Sequence, residues 1–325
     1  MTTARYHGPV FLVSAVAFTV MVWASAFVAI RAALHGFSPV PLAALRYLIA
    51  SLAIAVVFAV KRPRRISVRN LPRVAIAGVI GITVYNVALN MGERTVNSAS
   101  ASFVGNTVPV FTAALATFAL AERLSPFAWG GLFLSLAGAG LIGFGQGSPR
   151  FETGVILVLA AALSQAAYFV LQKPLLNLYA PLEFTGVAIW AGTAVLLPVL
   201  PVAFRQLWSA PASATLSVIY LGLFPAAGGF LAWAYVLSRV PAARAASFLY
   251  FVPGVSAGLG WLLLGERPSW LVLLGGSVSL MGVWLTNRDS SAVAAAGPAR
   301  QAGSTAPCGL GDHEPREIPR AQEGE

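Results

Sequence analysis

Long apolar stretches of this sequence contain isolated polar side chains. The residue types and their spacing suit ligand binding rather than covalent chemistry. Asn86 and Asn90 are four residues apart, so a helix would place both amides on one face. Amides donate and accept hydrogen bonds, which suits polar or zwitterionic ligands. The structural alternative is equally open, because such groups also join neighbouring helices by hydrogen bonds.

A second polar face is predicted further along the chain, where Ser102, Asn106 and Pro109 recur at helical spacing. Pro109 lacks a backbone N–H and should kink its helix, and Pro253 should do the same in a later helix. Small residues such as Ser102 also let helices approach closely, and that interpretation is favoured for the serine. The bulkier Asn106 is favoured as a binding residue.

Aromatic and charged candidates complete the predicted substrate site. Gln165 and Tyr168 are three residues apart on one predicted helix, and we expect them to line a cavity together with Trp23. Tyr250 and Arg244 belong to a later helix. Arg244 lies near a helix end, where an orientation anchor is the favoured interpretation, and it is the first cation to test if the substrate is anionic.

Other charged residues are interpreted as structural. Arg46 lies near the start of the second apolar run, so we expect its side chain to reach the membrane surface. The glutamates before the tail fall at or near predicted loops, at Glu93, Glu122, Glu152, Glu183 and Glu266. Carboxylate-based proton coupling therefore has no obvious residue in the predicted membrane core.

The composition places these residues in a lipid environment. Hydrophobic residues make up 58% of the 325 residues and charged residues only 10%, and the mean hydropathy is +0.77. A membrane helix needs roughly 20 apolar residues, and long continuous runs of this kind fill most of the chain. Strands of a membrane barrel would alternate in polarity instead. The sequence therefore predicts an all-α membrane protein.

Breaks between the apolar runs predict ten transmembrane helices, each with short turn chemistry at its ends. They are expected near residues 9–31, 40–60, 72–92, 97–120, 126–145, 154–176, 183–204, 214–237, 242–264 and 269–287. The polar segment 289–325 is predicted to be a disordered cytoplasmic tail.

The chain also matches itself at a constant offset of 144 residues, which aligns Glu122-Arg123 with Glu266-Arg267 and Pro109 with Pro253. The two halves, 9–145 and 154–287, each contain five predicted helices. Because five is odd, the second half must enter the membrane from the opposite side. The prediction is two inverted five-helix repeats with a substrate site at midplane, an architecture typical of secondary transporters.

Short motifs in this order resemble the ten-helix EamA-type branch of the drug/metabolite transporter superfamily. They are the run Trp23 to Arg31, Ser38-Pro39, Leu45-Arg46-Tyr47, Ser100-Ala101-Ser102 before Pro109, and Glu122-Arg123-Leu124. The resemblance spans residues 9–287 and implies export or exchange of a small polar metabolite, such as an amino acid, through a central cavity.

The competing hypothesis is a membrane-embedded enzyme acting on a lipid or isoprenoid. It needs an acid/base or metal cluster, but the only histidines are His7, His35 and His313, scattered along the chain. The single cysteine, Cys308, excludes an intrachain disulfide. The sequence thus predicts no enzyme activity and no cofactor. Its predicted partners are a small-molecule substrate and the lipid bilayer, not nucleic acid, and a homodimer is left open.

Basic residues in the predicted loops set the expected orientation in the inner membrane. With the N-terminus inside, twelve Lys or Arg residues before the tail fall on the cytoplasmic side and five on the other. The cluster from Lys61 to Arg73 contributes most of the difference. Both termini are therefore predicted to be cytoplasmic.

We expect a reporter protein fused after Arg288 to lie in the cytoplasm. Alkaline phosphatase, which works only outside the cytoplasm, should be inactive there, whereas a fluorescent protein should be bright. The opposite pair of results would contradict the predicted orientation.

Overall fold

The chain folds into a bundle of α-helices. The computed structural model describes residues 9–94, 105–122, 124–145, 154–264, 269–271 and 273–286, and no strand occurs among them. The predicted tail at 289–325 and Ser102 lie outside the described residues. The all-helical prediction is confirmed for the part of the chain that is described.

The helices are labelled in chain order. They are α1 (Pro9–Leu34), α2 (Pro39–Lys61), α3 (Leu71–Gly92), α4 (Val108–Ala119), α5 (Pro126–Gly145), α6 (Gly154–Leu175), α7 (Pro181–Ser209), α8 (Ala212–Arg239), α9 (242–264) and α10 (Leu273–Thr286). Six of them, α1 to α3 and α6 to α8, are long and apolar enough to cross a membrane. The shorter helices α4 and α10 are also apolar.

Local chemistry explains where several helices begin and end. Proline occupies the first turn of α2 and α7, where a missing N–H costs nothing because that group has no partner inside the helix. The Glu183 carboxylate accepts a hydrogen bond of 2.9 Å from the Ala180 N–H at the start of α7. At the end of α2, Arg62 adopts φ 47° and donates its N–H to the Phe58 carbonyl.

Two helices contain a wider, π-helical segment in their middle. These segments are Val79–Val84 in α3 and Gly222–Gly229 in α8. Adding the offset of 144 residues to the first segment places it inside the second. Pro225 in the second segment cannot donate to a regular helical ladder, which favours this local widening.

The helix carrying Pro253 is also irregular. Within α9 a 3-10 turn, Phe248–Tyr250, separates two α-helical segments. The segment before α4 forms a turn at residues 106–107, immediately upstream of Val108 and Pro109. Interruptions therefore lie just before both prolines.

Helices α5 and α10 meet at a close seam of small residues. The Ser135 hydroxyl donates to the Ser279 carbonyl at 3.0 Å, and the Ser279 hydroxyl donates to the Ser135 carbonyl at 3.1 Å. The two serines are separated by 144 residues, the offset of the sequence repeat. Each helix thus presents the same residue to the other in a reciprocal contact.

Gly131 allows this approach, because a Cβ at that position would lie 2.7 Å from the Gly282 carbonyl oxygen. The Thr286 backbone nitrogen would be equally close, so a side-chain shift cannot relieve the clash. The adjacent Gly130 is exposed, and a Cβ there would have no neighbour within 4 Å.

This pair of glycines provides a matched stability test. We expect Gly131→Ala to lower the free energy of unfolding by about 1–3 kcal/mol, because overpacking forces the two backbones apart. Gly130→Ala should be neutral or slightly stabilising, since alanine favours a helix. Melting temperatures of the detergent-purified variants, followed by tryptophan fluorescence, test this difference. Equal melting temperatures for the two variants would contradict the close seam.

Candidate functional site

Helices from both sequence halves surround a cavity of about 80 Å³. This room is enough for several water molecules. The cavity is lined by Trp23, Ala26, Phe27, Ile30, Arg46, Tyr85, Leu89, Gly105, Asn106, Val108, Gln165, Phe230, Leu249 and Val252. Trp23, Asn106 and Gln165 of the predicted site therefore meet in one place.

Arg46 supplies the positive charge of the cavity wall. Its side chain is only 4% exposed, because the first half of α2 packs against α3, α7 and the π-helical segment of α8. The guanidinium donates from Nη1 to Asn86 Oδ1 at 3.0 Å and lies 5.4 Å from the centre of the Tyr47 ring. The expectation that Arg46 reaches the membrane surface is wrong.

The arginine also has unused binding capacity. Its Nε atom is buried and has no hydrogen-bond partner. Within the described part of the chain its hydrogen-bond and ring partners, Asn86 and Tyr47, are both neutral. A buried charge in this state is costly unless a ligand completes its shell.

Asn86 positions the arginine rather than lining the cavity. While its Oδ1 accepts from Arg46, its Nδ2 donates to the Tyr47 hydroxyl and to the Ile82 carbonyl, each at 2.8 Å. The amide is fully buried, and its contacts join α2 to α3. The predicted role of Asn86 as a direct ligand is therefore replaced by a supporting one.

Gln165 supplies an unused acceptor on α6. The residue is 3% exposed and lines the cavity, and its Oε1 atom is buried without a hydrogen-bond partner. An amide oxygen accepts hydrogen bonds only, so a ligand with an N–H or O–H group would complete it.

Aromatic rings form the apolar part of the site. Trp23 stacks at 6.2 Å on Phe169 and contacts the edge of Phe230 at 5.6 Å. Its indole Nε1 donates to the Pro225 carbonyl at 3.1 Å, inside the π-helical segment of α8. The widened helix therefore fixes the orientation of Trp23, and Trp233 covers the cluster from the other side at 5.4 Å.

Several predicted residues lie elsewhere. Asn90 donates to the Pro39 carbonyl at 3.0 Å and joins α3 to α2. Tyr168 is fully buried among Phe184 and Phe230, away from the cavity wall. Tyr250 packs into a separate core cluster, and its neighbours along α9 line the cavity instead.

The remaining predicted residues do not contact the cavity. Pro109 and Pro253 shape α4 and α9 but are not part of the wall. Arg244 is in the first turn of α9, beside the carboxylate of Glu122. That carboxylate accepts hydrogen bonds from the backbone N–H groups of residues 242 and 243, at 2.8 and 3.1 Å.

Arg46 is the charged residue of the cavity wall that the sequence interpretation did not include in the site. A charged residue inside an apolar run is itself a signal of function in membrane proteins. Its distance from the helix start suggested a surface position instead. Tyr85, which also lines the cavity beside Asn86, carried no signal beyond a polar tip in an apolar run.

A second, more open pocket of about 450 Å³ lies between the ends of α1 and α3, lined by Arg31, Leu34, His35, Glu93 and Arg94. Both carboxylate oxygens of Glu93 are buried without a hydrogen-bond partner. Burial raises the pKa of the Glu93 carboxyl from 4.5 to about 8, although the charges of Arg31 and Arg46 oppose this rise.

Comparison with known proteins identifies transporters. The chain matches the EamA-like transporter family twice, over residues 10–144 and 152–288. It is 40% identical over 277 residues to a probable terminal-alkyne amino-acid exporter of Streptantibioticus cattleyicolor, covering 84% of this chain and 92% of that protein. An uncharacterized transporter of Bacillus subtilis, YdfC, is 38% identical over 265 residues, which are 81% of this chain and 87% of that protein.

Two further matches extend the comparison. The uncharacterized inner membrane transporter YedA of Escherichia coli is 28% identical over 259 residues, covering 78% of this chain and 84% of that protein. The crystal structure of another protein is similar, with a TM-score of 0.70 at 19% identity. It covers 87% of this chain and 98% of the other chain, and it supports the fold alone.

The raised pKa of Glu93 predicts a pH-dependent effect of Glu93→Gln. The unfolded chain releases this proton near pH 4.5 but the folded protein releases it near pH 8. The wild type therefore loses stability as pH rises between these values, and glutamine does not. We expect Glu93→Gln to melt at a higher temperature than the wild type at pH 8 and at a similar temperature at pH 4.5.

The measurement is thermal unfolding of both proteins across the same buffers. A difference in melting temperature that does not change with pH would contradict the assigned protonation of Glu93.

Proposed function

Because the chain belongs to the EamA-like transporter family, we propose that it exports a small polar metabolite, an amino acid or a similar organic solute, across the inner membrane by alternating access. The observation that carries this proposal is the cavity between helices of both halves, with Arg46, Asn106 and Gln165 on an otherwise apolar wall. The name of the relative at 40% identity, an amino-acid exporter, supports the substrate class.

The architecture we propose is ten transmembrane helices arranged as two inverted five-helix repeats, 9–145 and 154–287. Two features support it: the π-helical segments occupy equivalent positions at the offset of 144 residues, and Ser135 and Ser279 exchange hydrogen bonds. Reciprocal contacts of this kind are expected along a two-fold axis. Both termini are proposed to be cytoplasmic, with the tail 289–325 on that side.

The described helix ends support a state closed to the cytoplasm. The Lys173 ammonium donates to the carbonyls of Leu237 and Val240 at the end of α8, at 2.5 and 2.6 Å. The Glu122 carboxylate holds the start of α9. In the proposed orientation these contacts lie at the cytoplasmic face, whereas Ile30 and Leu89 of the cavity lie near the opposite helix ends. Alternating access would require the cytoplasmic contacts to open.

An efflux assay tests the proposed function. Proteoliposomes are loaded with the proteinogenic amino acids together with L-propargylglycine, which carries a terminal alkyne, and its saturated counterpart L-norvaline. We expect at least one of these solutes to leave faster than from protein-free liposomes, as measured by mass spectrometry. The same solute added outside should accelerate its exchange.

A pair of substitutions on α1 provides the control. Ala26→Phe fills the cavity and should abolish the efflux, whereas Ala17→Phe adds the same ring to an exposed position and should preserve it. Equal losses in both variants, or no solute leaving faster than from protein-free liposomes, would contradict the proposal.

A further inference from the structure

The cavity offers two incomplete polar groups of opposite character, one on each sequence half. We propose that Arg46 binds the carboxylate of a zwitterionic amino acid and that Gln165 Oε1 accepts a hydrogen bond from its ammonium group. This inference rests on the proposed transport of an amino acid, and it names the residues that bind the carboxylate and the ammonium group of the ligand.

The carboxylate assignment follows from the state of Arg46. A guanidinium has five N–H donors in a planar fork that matches a carboxylate in a bidentate contact. The protein uses Nη1 for Asn86 and leaves the buried Nε without a partner. A ligand carboxylate would supply both the hydrogen bonds and the negative charge that this buried cation lacks.

Two acidic side chains of the described residues already accept hydrogen bonds from backbone N–H groups. Glu122 accepts from the N–H groups that begin α9, and Glu183 accepts from the backbone N–H groups of Ala180 and Arg64. Glu93 lies in the second pocket with Arg31 and not in the cavity wall, and burial raises the pKa of its carboxyl. Within the described part of the chain Arg46 therefore keeps an unneutralised charge for a ligand.

The ammonium assignment follows from the orphaned acceptor of Gln165. Leaving a buried amide oxygen without a hydrogen bond is unfavourable, because the group has lost its bonds to water. A carboxylate cannot satisfy it, since an ionised carboxylate only accepts hydrogen bonds. A ligand that satisfies both Arg46 and Gln165 must carry an anionic acceptor and a donor, which is the pattern of an α-amino acid.

The second half of the sequence has no cation at the position equivalent to Arg46. The residue at the offset of 144 from Arg46 is Trp190, whose indole N–H is already used by the Ser51 carbonyl at 3.2 Å. Arg244 also has a buried Nε without a hydrogen-bond partner, but it lies beside the Glu122 carboxylate and is not part of the cavity wall. The rest of the wall, with Trp23, Phe27 and Phe230, favours a small apolar side chain on the ligand.

The test measures which charged group of a ligand each residue recognises. Binding to purified protein is measured by calorimetry for L-propargylglycine, its carboxamide, which lacks the carboxylate, and its N-acetyl derivative, which lacks the ammonium. L-Norvaline, propylamine and butyrate complete the set of probes. We expect the wild type to bind a free amino acid about 10- to 100-fold more tightly than either blocked derivative.

The variants separate the two contacts. Arg46→Met should remove the preference for the acid over the carboxamide. Without the guanidinium, the carboxylate of the acid has no cationic partner. Gln165→Leu should remove the preference for the free amine over the N-acetyl form and leave the acid preference intact. Arg46→Lys, which keeps the charge but not the fork, should retain part of the acid preference.

The outcomes distinguish this inference from the proposed function. If an amino acid is exported but Arg46→Met retains the full acid preference, the inference fails and the proposed function stands. If the wild-type protein binds the carboxamide or propylamine as tightly as the acid, Arg46 does not bind a carboxylate. This outcome does not depend on whether the variants fold. If butyrate binds as tightly as the amino acid, the ammonium contact to Gln165 is wrong. If no probe binds and no amino acid is exported, both fail.

Discussion

The hydrogen bond between Arg46 and Asn86 is the contact on which the polar side of the cavity depends. The hydrocarbon core of a bilayer offers no water to a buried guanidinium, so the protein must supply an acceptor for its N–H groups. Asn86 does this with one oxygen, and its nitrogen ties the same group to Tyr47 and to the backbone of α3. The carbonyl that anchors it, Ile82, belongs to a π-helical segment, so helix geometry and site charge are linked.

The scaffold and the site differ in symmetry. The seam of α5 and α10 and the paired π-helical segments repeat at one offset, and so do Val108 and Val252 of the cavity wall, whereas the polar residues of the wall do not. Arg46 and Asn86 correspond at that offset to Trp190 and Phe230. The first half thus contributes the charge, its support and most of the aromatic wall, while the second contributes Phe230 and the amide of Gln165. A duplicated framework of this kind can move symmetrically while recognising an asymmetric ligand.

The fold was largely predictable because its signals are local. Runs of apolar residues bounded by proline and glycine predicted α2 and α3 to within a residue or two of their observed ends. Trp23, Asn106 and Gln165 line one cavity, and each carries a polar group within a predicted apolar run. Arg46 was misplaced because its depth in the membrane was judged from its distance to the helix start. Its burial depends on the packing of α3, α7 and α8 around it, which local sequence does not reveal. Tyr250 belongs to a separate core cluster, whereas Leu249 and Val252 of the same helix line the cavity, and regular helical spacing does not predict the 3-10 turn at Phe248–Tyr250.

The π-helical segment Val79–Val84 also constrains how this protein can change during evolution. A π turn contains one residue more than the α turn it replaces, and each residue of an α-helix advances the side-chain direction by about 100°. Deleting a single residue from this segment would restore a regular helix and turn Asn86 away from Arg46. The segment should therefore tolerate substitutions of similar size more readily than any change in its length.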